Sequence, residues 1–117
     1  MRIAYGVMGY GRGHAMRSLS VLPAIRAAVG ADYPLLLDSG IRSGSDIFKA
    51  LALGANAVLI GRLQVYALAV AGALGVAHLL RTLREELELC MAQAGCATLA
   101  DITPDLIHSS GNGDTPC

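Results

Sequence analysis

The sequence predicts an α/β fold in which parallel strands alternate with helices in the order β-α-β-α-β-α, joined by right-handed crossovers. Three short apolar runs carry this prediction, and they lie at residues 3–8, 34–37 and 57–60. Their continuous hydrophobic character is typical of strands that are covered on both faces. A glycine-bearing turn and a helix-like segment follow each run, and the 54% hydrophobic content of the 117 residues favours a packed domain.

The first two units can be followed along the chain. After the strand at 3–8, a helix is expected from near His14 toward Val29, with Pro23 breaking or kinking it. The second strand, 34–37, ends at Asp38. A helix is then expected from about residue 45 to residue 53, with Gly54 as its C-cap.

The third unit begins with the strand at 57–60, which ends at Gly61 and Arg62. The last helix is expected to run through His78 to about Ala94 and to end at Gly95. Its apolar residues recur at three- and four-residue steps, which predicts one buried face: Leu79, Leu80, Leu83, Leu87 and Cys90. The polar tail, residues 108–117, is expected to be disordered.

Composition argues against several classes of function. Nine basic residues balance nine acidic ones, and Trp is absent, so a nucleic-acid partner is not expected. The three cysteines have neither a disulfide nor a metal spacing, which favours free thiols in the cytoplasm and no metal site. Residues 63–80 carry no formal charge, but Ala and Gly dominate them, so no membrane association is expected.

Ligand sites in parallel α/β folds lie beyond the carboxyl ends of the strands, here the loops at 9–14, 38–45 and 61–66. In the second loop, Gly40 allows close backbone approach and Arg42 offers a fork of donors to a phosphate. The start of the following helix adds partial positive charge. Gly61 and Arg62 provide the same combination of a glycine and an arginine at the end of the next strand. The spacing alone leaves two readings open: a phosphate clamp, or turn glycines beside solvent-exposed arginines.

The stretch from residue 34 to residue 62 reads PLLLDSGIRSGSDIFKALALGANAVLIGR. It resembles the FMN-dependent α-hydroxy-acid oxidases and dehydrogenases, which include glycolate oxidase, lactate oxidase and lactate monooxygenase, and the resemblance spans about residues 22–107. It implies the last two βα units of a TIM barrel and oxidation of a 2-hydroxy acid through flavin. It also implies that FMN is bound by Asp38, Ser39, Gly40, Ile41, Arg42, Gly61 and Arg62. Ser39 stands where the family more usually has Gly, and Leu63 stands where a Pro commonly follows.

The chain also departs from this family. A complete TIM barrel has roughly 250 residues, so an incomplete barrel is expected. The family's catalytic His-Gly-Gly-Arg motif should fall near residues 7–10 and is absent there. No catalytic residue is therefore assigned, and whether the chain is an enzyme stays open.

Residues 1–17 instead resemble the amino terminus of GT-B glycosyltransferases, which use nucleotide sugars, through a Gly-rich loop with a Gly-His step. The expected organisation is a start of different origin over 1–21, an FMN-binding barrel segment over 22–107 and a tail over 108–117. Such a chain would be a fusion or truncation product.

Three hypotheses follow for function. The first is the FMN-binding C-terminal portion of a 2-hydroxy-acid oxidoreductase, inactive alone. The second is a glycosyltransferase remnant, and the third is a non-catalytic α/β fragment whose apolar edges pair with another chain. The sequence predicts binding of FMN but not of NAD, because the dinucleotide fingerprint is lacking, and it predicts self-association through open sheet edges.

Overall fold

The structure is a computed structural model, and it describes the backbone of residues 12–108 and the side chains of residues 21–108. The elements are α1 (Arg12–Val29), β1 (Leu36–Asp38), α2 (Gly44–Ala52), β2 (Ala57–Leu59) and α3 (Arg62–Ala94), followed by the 3-10 turns Leu99–Asp101 and Pro104–Leu106. The predicted alternation of parallel strands and helices is confirmed for this part of the chain. The strand predicted at 3–8, the Gly-rich loop up to residue 11 and the tail from 109 to 117 lie outside the described residues.

The two strands pair in parallel, with Leu36 opposite Ala57 and Asp38 opposite Leu59. Each differs from its predicted bounds, because β1 takes in Asp38 and leaves out residues 34 and 35, and β2 ends one residue earlier. Leu35 pairs mainly with Asn56, the residue that precedes β2, and its carbonyl also accepts from the Ala57 N–H at 3.4 Å. The Leu35 N–H donates to Oδ1 of Asn56 at 2.8 Å, and the Leu35 carbonyl accepts from the Asn56 N–H at 2.7 Å.

Helix α2 begins at Gly44 because Ser43 caps it, with the Ser43 hydroxyl accepting from the Asp46 N–H at 3.3 Å. It ends at Ala52 with Leu53 as the C-cap. The predicted cap at Gly54 is therefore wrong by one position. Gly54 follows the cap with φ of 116°, a backbone conformation that favours glycine.

Helix α1 runs through Pro23 to Val29 without interruption, so the predicted break is wrong. A proline in a helix interior removes one backbone hydrogen bond. Packing on both sides of the proline offsets that loss, because Leu22 is buried in the core and Ile25 and Val29 pack against the same cluster.

The core lies between the two-stranded sheet and the helices and is centred on α2, where Ala50 is fully buried. Its main cluster joins all three helices and β1: Leu22, Leu35, Leu37, Ile41, Ile47, Ala50, Ala55 and Leu83. A second cluster packs the segment that follows α3 against α2, and it consists of Phe48, Ala52, Cys96 and Ile102. The loop that follows β1 is thus fixed to the core through Ile41.

Helix α3 starts at Arg62, so the segment 61–66 that was predicted as a loop is helical after its first residue. The helix is interrupted at Ala71 and at Gly72, whose φ is 58°. A Cβ on Gly75 would overlap the Ala67 carbonyl, so glycine there lets the two segments lie close together. The predicted end at Gly95 is confirmed, with φ of 76°.

The first half of α3, on both sides of this interruption, carries a large exposed apolar surface, formed by Val65, Tyr66, Leu68, Val70 and Leu74. By length and composition alone α3 is apolar enough to cross a membrane, since one 18-residue window has a mean hydropathy of 1.8 and none of it is buried. Its interruption at residues 71 and 72 separates the helix into two shorter segments. The apolar stretch is therefore not one straight helix.

Candidate functional site

The two βα junctions that the sequence singled out meet at one edge of the sheet. Asp38 lies opposite Leu59 in a parallel pair, so the segments that begin at Ser39 and Ile60 leave neighbouring strands in the same direction. Paired strands lie about 4.8 Å apart. The fold thus places the two segments that contain residues 38–42 and 61–62 at one edge of the sheet.

The first junction turns through two consecutive residues in the left-handed region, Ser39 with φ of 92° and Gly40 with φ of 81°. Among the described residues, Ser39 is the only non-glycine with positive φ. A non-glycine residue held there costs about 1–3 kcal/mol, and such strain is often found where a backbone is shaped for a ligand. Successive backbone N–H groups in turns of this kind form concavities that bind anions.

Ile41 and Arg42 leave this turn on opposite sides. The Ile41 side chain is 7% exposed and belongs to the main core cluster, so it anchors the loop, and only its backbone can face a ligand. Arg42 is exposed, and its guanidinium makes no hydrogen bond or ion pair with any residue from 21 to 108. Its backbone N–H donates to Oδ2 of Asp46 at 3.0 Å, which fixes the start of this side chain.

The second junction is the start of α3. Gly61 occupies its N-cap position with no side-chain hydrogen bond to the helix, and a Cβ placed on Gly61 would meet no atom of the described residues within 4 Å. The first N–H groups of a helix have no partner within the helix, and they carry partial positive charge. Arg62 is exposed at the first helical position. Open space, an uncapped helix start and an arginine therefore coincide here.

The start of α2 differs, and this corrects the sequence-based expectation that it would contribute to phosphate binding. The Gly44 N–H donates to Oε2 of Glu86 at 2.6 Å, and the Asp46 N–H donates to the Ser43 hydroxyl. Protein groups thus already occupy donors in the first turn of α2. The geometry favours an anion at the turn of Ser39 and Gly40 and at the start of α3.

Sequence reasoning missed the contribution of Glu86. The helical repeat of α3 places Glu86 among the charged residues of the solvent face, and Glu86 lies 42 positions from Gly44, to which it bonds. No local pattern marks so distant a contact. Within the described part of the chain, no group of three His, Cys, Asp or Glu side chains could hold a metal ion.

Comparison with curated proteins gives close relatives over most of the chain. It is 73% identical to the L-lactate oxidase of Alicycliphilus denitrificans over 96 residues, which are 82% of this chain and 26% of that protein. It is 48% identical to glycolate oxidase 1 of Oryza sativa subsp. indica over 107 residues, which are 85% of this chain and 29% of that protein. The chain thus spans about a quarter of the length of these relatives.

Solved structures also match most of the chain. The crystal structure of the monotopic membrane protein (S)-mandelate dehydrogenase matches 77% of this chain and 24% of its own, with 44% identity and a TM-score of 0.73. The family model described as FMN-dependent dehydrogenase matches residues 11–109. That range includes both strand-end junctions. The chain therefore belongs to the FMN-dependent dehydrogenase family.

Proposed function

We propose that this chain is the FMN-binding, C-terminal portion of a 2-hydroxy-acid oxidoreductase, and that its two strand-end junctions hold the phosphate of FMN. Lactate, glycolate and mandelate, named for its relatives, are all 2-hydroxy acids. The observation that carries the proposal is that β1 and β2 end side by side, so that the segments containing residues 38–42 and 61–62 leave the sheet at one edge. On this account β1-α2 and β2-α3 are the last two βα units of a TIM barrel, where such loops bind phosphate.

The residues present fit a phosphate group. The left-handed turn at Ser39 and Gly40 and the uncapped start of α3 at Gly61 both offer backbone donors. The side chains of Arg42 and Arg62 are exposed, and a guanidinium can give two parallel hydrogen bonds to phosphate oxygens. Ser39 takes a positive φ of the kind that favours glycine, so its Cβ adds strain at the turn.

Bound FMN would supply the two-electron acceptor for oxidation of the substrate alcohol. The part of that reaction carried by this chain is binding and orientation at the phosphate end. The His-Gly-Gly-Arg motif that the family resemblance calls for is absent from the sequence. Loss of a general base alone costs a factor of about a hundred to ten thousand. We therefore expect no measurable oxidation of glycolate, lactate or mandelate by this chain alone.

The proposal is tested by comparing FMN with riboflavin, which lacks the phosphate, through flavin fluorescence. A charge-assisted hydrogen bond is worth roughly 1.5–3 kcal/mol, so Arg42→Ala and Arg62→Ala should each weaken FMN binding about tenfold or more. Riboflavin binding should change little, and NAD should not bind. Arg84→Ala is the matched control, because Arg84 is exposed on α3 and pairs with Glu88.

Two outcomes would contradict the proposal. Equal losses for FMN and riboflavin in the Arg42 and Arg62 variants would mean that the arginines act on folding. Tighter binding of NAD than of FMN to the wild-type chain would mean that the site recognises a dinucleotide.

We infer further that the chain self-associates through the exposed apolar surface of α3 and does not span a membrane. Contiguous apolar surfaces of this kind mark interaction sites in soluble proteins. Val70 and Leu74, which flank the interruption of α3, are 86% and 81% exposed. Size-exclusion chromatography with light scattering should give a mass above 12.1 kDa. Elution as a sharp monomer peak, together with cooperative unfolding of the chain, would contradict this inference.

A further inference from the structure

Glu86 makes a contact that none of the features above explains. It lies on the second segment of α3, and its carboxylate reaches across to the first residue of α2, where Oε2 accepts from the Gly44 N–H at 2.6 Å. The residue as a whole is exposed, but this hydrogen bond is partly buried. A carboxylate at a helix N-terminus satisfies a free donor and interacts favourably with the helix dipole.

The backbone at this point leaves room only for glycine. A Cβ on Gly44 would overlap the backbone of Glu86 and Leu87, so the start of α2 is pressed against one turn of α3. The two helices also share side-chain packing. Ile47 of α2 lies in the cluster that contains Leu83 of α3, and Leu87 packs against it. The loop 39–44 and the second segment of α3 therefore approach each other closely at Gly44.

Three hydrogen bonds, connected through the backbone of residues 42–46, lie between this contact and the proposed phosphate site. Glu86 holds the N–H of residue 44, Ser43 caps the N–H of Asp46, and the Asp46 carboxylate accepts from the Arg42 N–H. Arg42 follows Ile41, which is anchored in the core, and so lies directly after the left-handed turn. Fixing the amides of residues 42 and 44 thus fixes the direction in which the turn presents its donors.

We propose that Glu86 is a positioning residue for FMN binding, which holds the loop 39–44 against α3 in the form that receives the phosphate. This inference rests on the proposed function. It also gives Glu86 a second effect. By occupying the Gly44 N–H, its carboxylate keeps a competing anion from the start of α2, which leaves the turn of Ser39 and Gly40 and the start of α3 as the anion site.

The test uses three variants of the full chain. Glu86→Ala removes the acceptor, and Glu86→Gln keeps an oxygen that can accept the same hydrogen bond without the charge. Glu85→Ala is the matched control, because Glu85 is the neighbouring residue on α3 and forms an exposed ion pair with Arg81. Hydrogen exchange at the Gly44 amide reports the contact directly, and fluorescence titration reports the Kd for FMN and for riboflavin.

Glu86→Ala should lose amide protection at Gly44 and weaken FMN binding by about tenfold, since a hydrogen bond to a charged group is removed. Riboflavin binding should be unchanged. Glu86→Gln should recover most of the FMN affinity, and Glu85→Ala should match wild type in both measurements.

The inference is overturned if Glu86→Ala keeps the protection at Gly44, or if FMN and riboflavin weaken equally. It is also overturned if Glu85→Ala loses as much FMN affinity as Glu86→Ala does. If the wild-type chain binds riboflavin as tightly as FMN, the proposed function fails and takes the inference with it. If the wild type prefers FMN and Glu86→Ala keeps that preference, the inference alone fails.

Discussion

Replacement of Arg26 by alanine should destabilise the chain more than replacement of any arginine in an exposed ion pair. The guanidinium lies at the end of α1, and its five N–H groups make six contacts with oxygen acceptors, because the two N–H groups of Nη1 are shared among three carbonyls. Two go to the Gly54 carbonyl at 2.9 and 2.7 Å, one goes to the Tyr33 carbonyl at 2.6 Å, and one goes to Oδ1 of Asn56 at 2.5 Å. Gly30 and Ala31 accept the others. One side chain thus joins α1 to the segments that lead into both strands.

The size of the effect follows from the burial of these bonds. A hydrogen bond to a charged group contributes about 1.5–3 kcal/mol when water is excluded. The bonds to residues 30 and 31 and to Asn56 are exposed, whereas those to the Gly54 and Tyr33 carbonyls are partly buried. Counting only these two carbonyls gives a loss of about 3 kcal/mol. For a domain of this size, that loss lowers Tm by roughly 10 °C or more.

Thermal unfolding followed by circular dichroism measures the effect. Arg26→Lys should lose most of the stability as well, because an ammonium cannot span acceptors on three segments in the fixed geometry of a guanidinium. Arg84→Ala is the control, and it should change Tm little because solvent and salt screen its exposed ion pair with Glu88. If Arg26→Ala and Arg84→Ala shift Tm by the same amount, the Arg26 network does not hold the two strands in place.

Three further predictions concern stability, measured by urea denaturation. Ser39→Gly should stabilise the chain by about 1 kcal/mol, since relief of positive-φ strain exceeds the added entropy of the unfolded chain, and Ser39→Ala should give no such gain. Gly44→Ala should cost more than about 2 kcal/mol because its Cβ overlaps the backbone of α3, whereas Gly61→Ala, whose Cβ meets open space, should change stability little. Hydrogen bonds from Thr98 lower the pKa of Asp101 below its ordinary value of 3.8. The stabilisation that these bonds give the folded chain is therefore complete above pH 3.8 and is lost as the pH falls through the lower pKa of the folded state. Asp101→Asn should show no such dependence on pH.

Local patterns were sufficient to predict the elements that surround the candidate site. Continuous apolar runs that end at Asp38 and at Gly61 predicted two adjacent parallel strands with ligand-facing ends, and the register confirms that the two ends meet. The glycine at position 95 marked the end of α3 correctly. These features depend on neighbours in sequence, which is why they can be read from it.

The features that sequence reasoning missed depend on contacts between distant residues. Arg26 and Asn56 act across 30 positions, and Glu86 acts across 42. Leu80 fits the helical repeat of the predicted apolar face but is 54% exposed, whereas Leu83 on the same face is 3% exposed. The helical repeat of apolar residues predicts which face of α3 is buried. It does not predict which residue of that face is buried most, because that depends on where α2 packs.

The start and the interruption of α3 were missed for a different reason. The Ala- and Gly-rich stretch after Arg62 shows weak amphipathic periodicity, so it predicted neither a helix start at that residue nor a break. The break at Gly72 needs a positive φ, which glycine adopts readily, but Gly75 in the same stretch could also have supplied it.

The central claim is that FMN binds by its phosphate between the two strand ends. A titration of the isotope-labelled chain with FMN, followed by amide nuclear magnetic resonance, tests it most directly. The account predicts that amide resonances of Gly40, Ile41, Gly61 and Arg62 shift with FMN and not with riboflavin. Shifts confined to the apolar surface of α3, or the same shifts with riboflavin as with FMN, would contradict it.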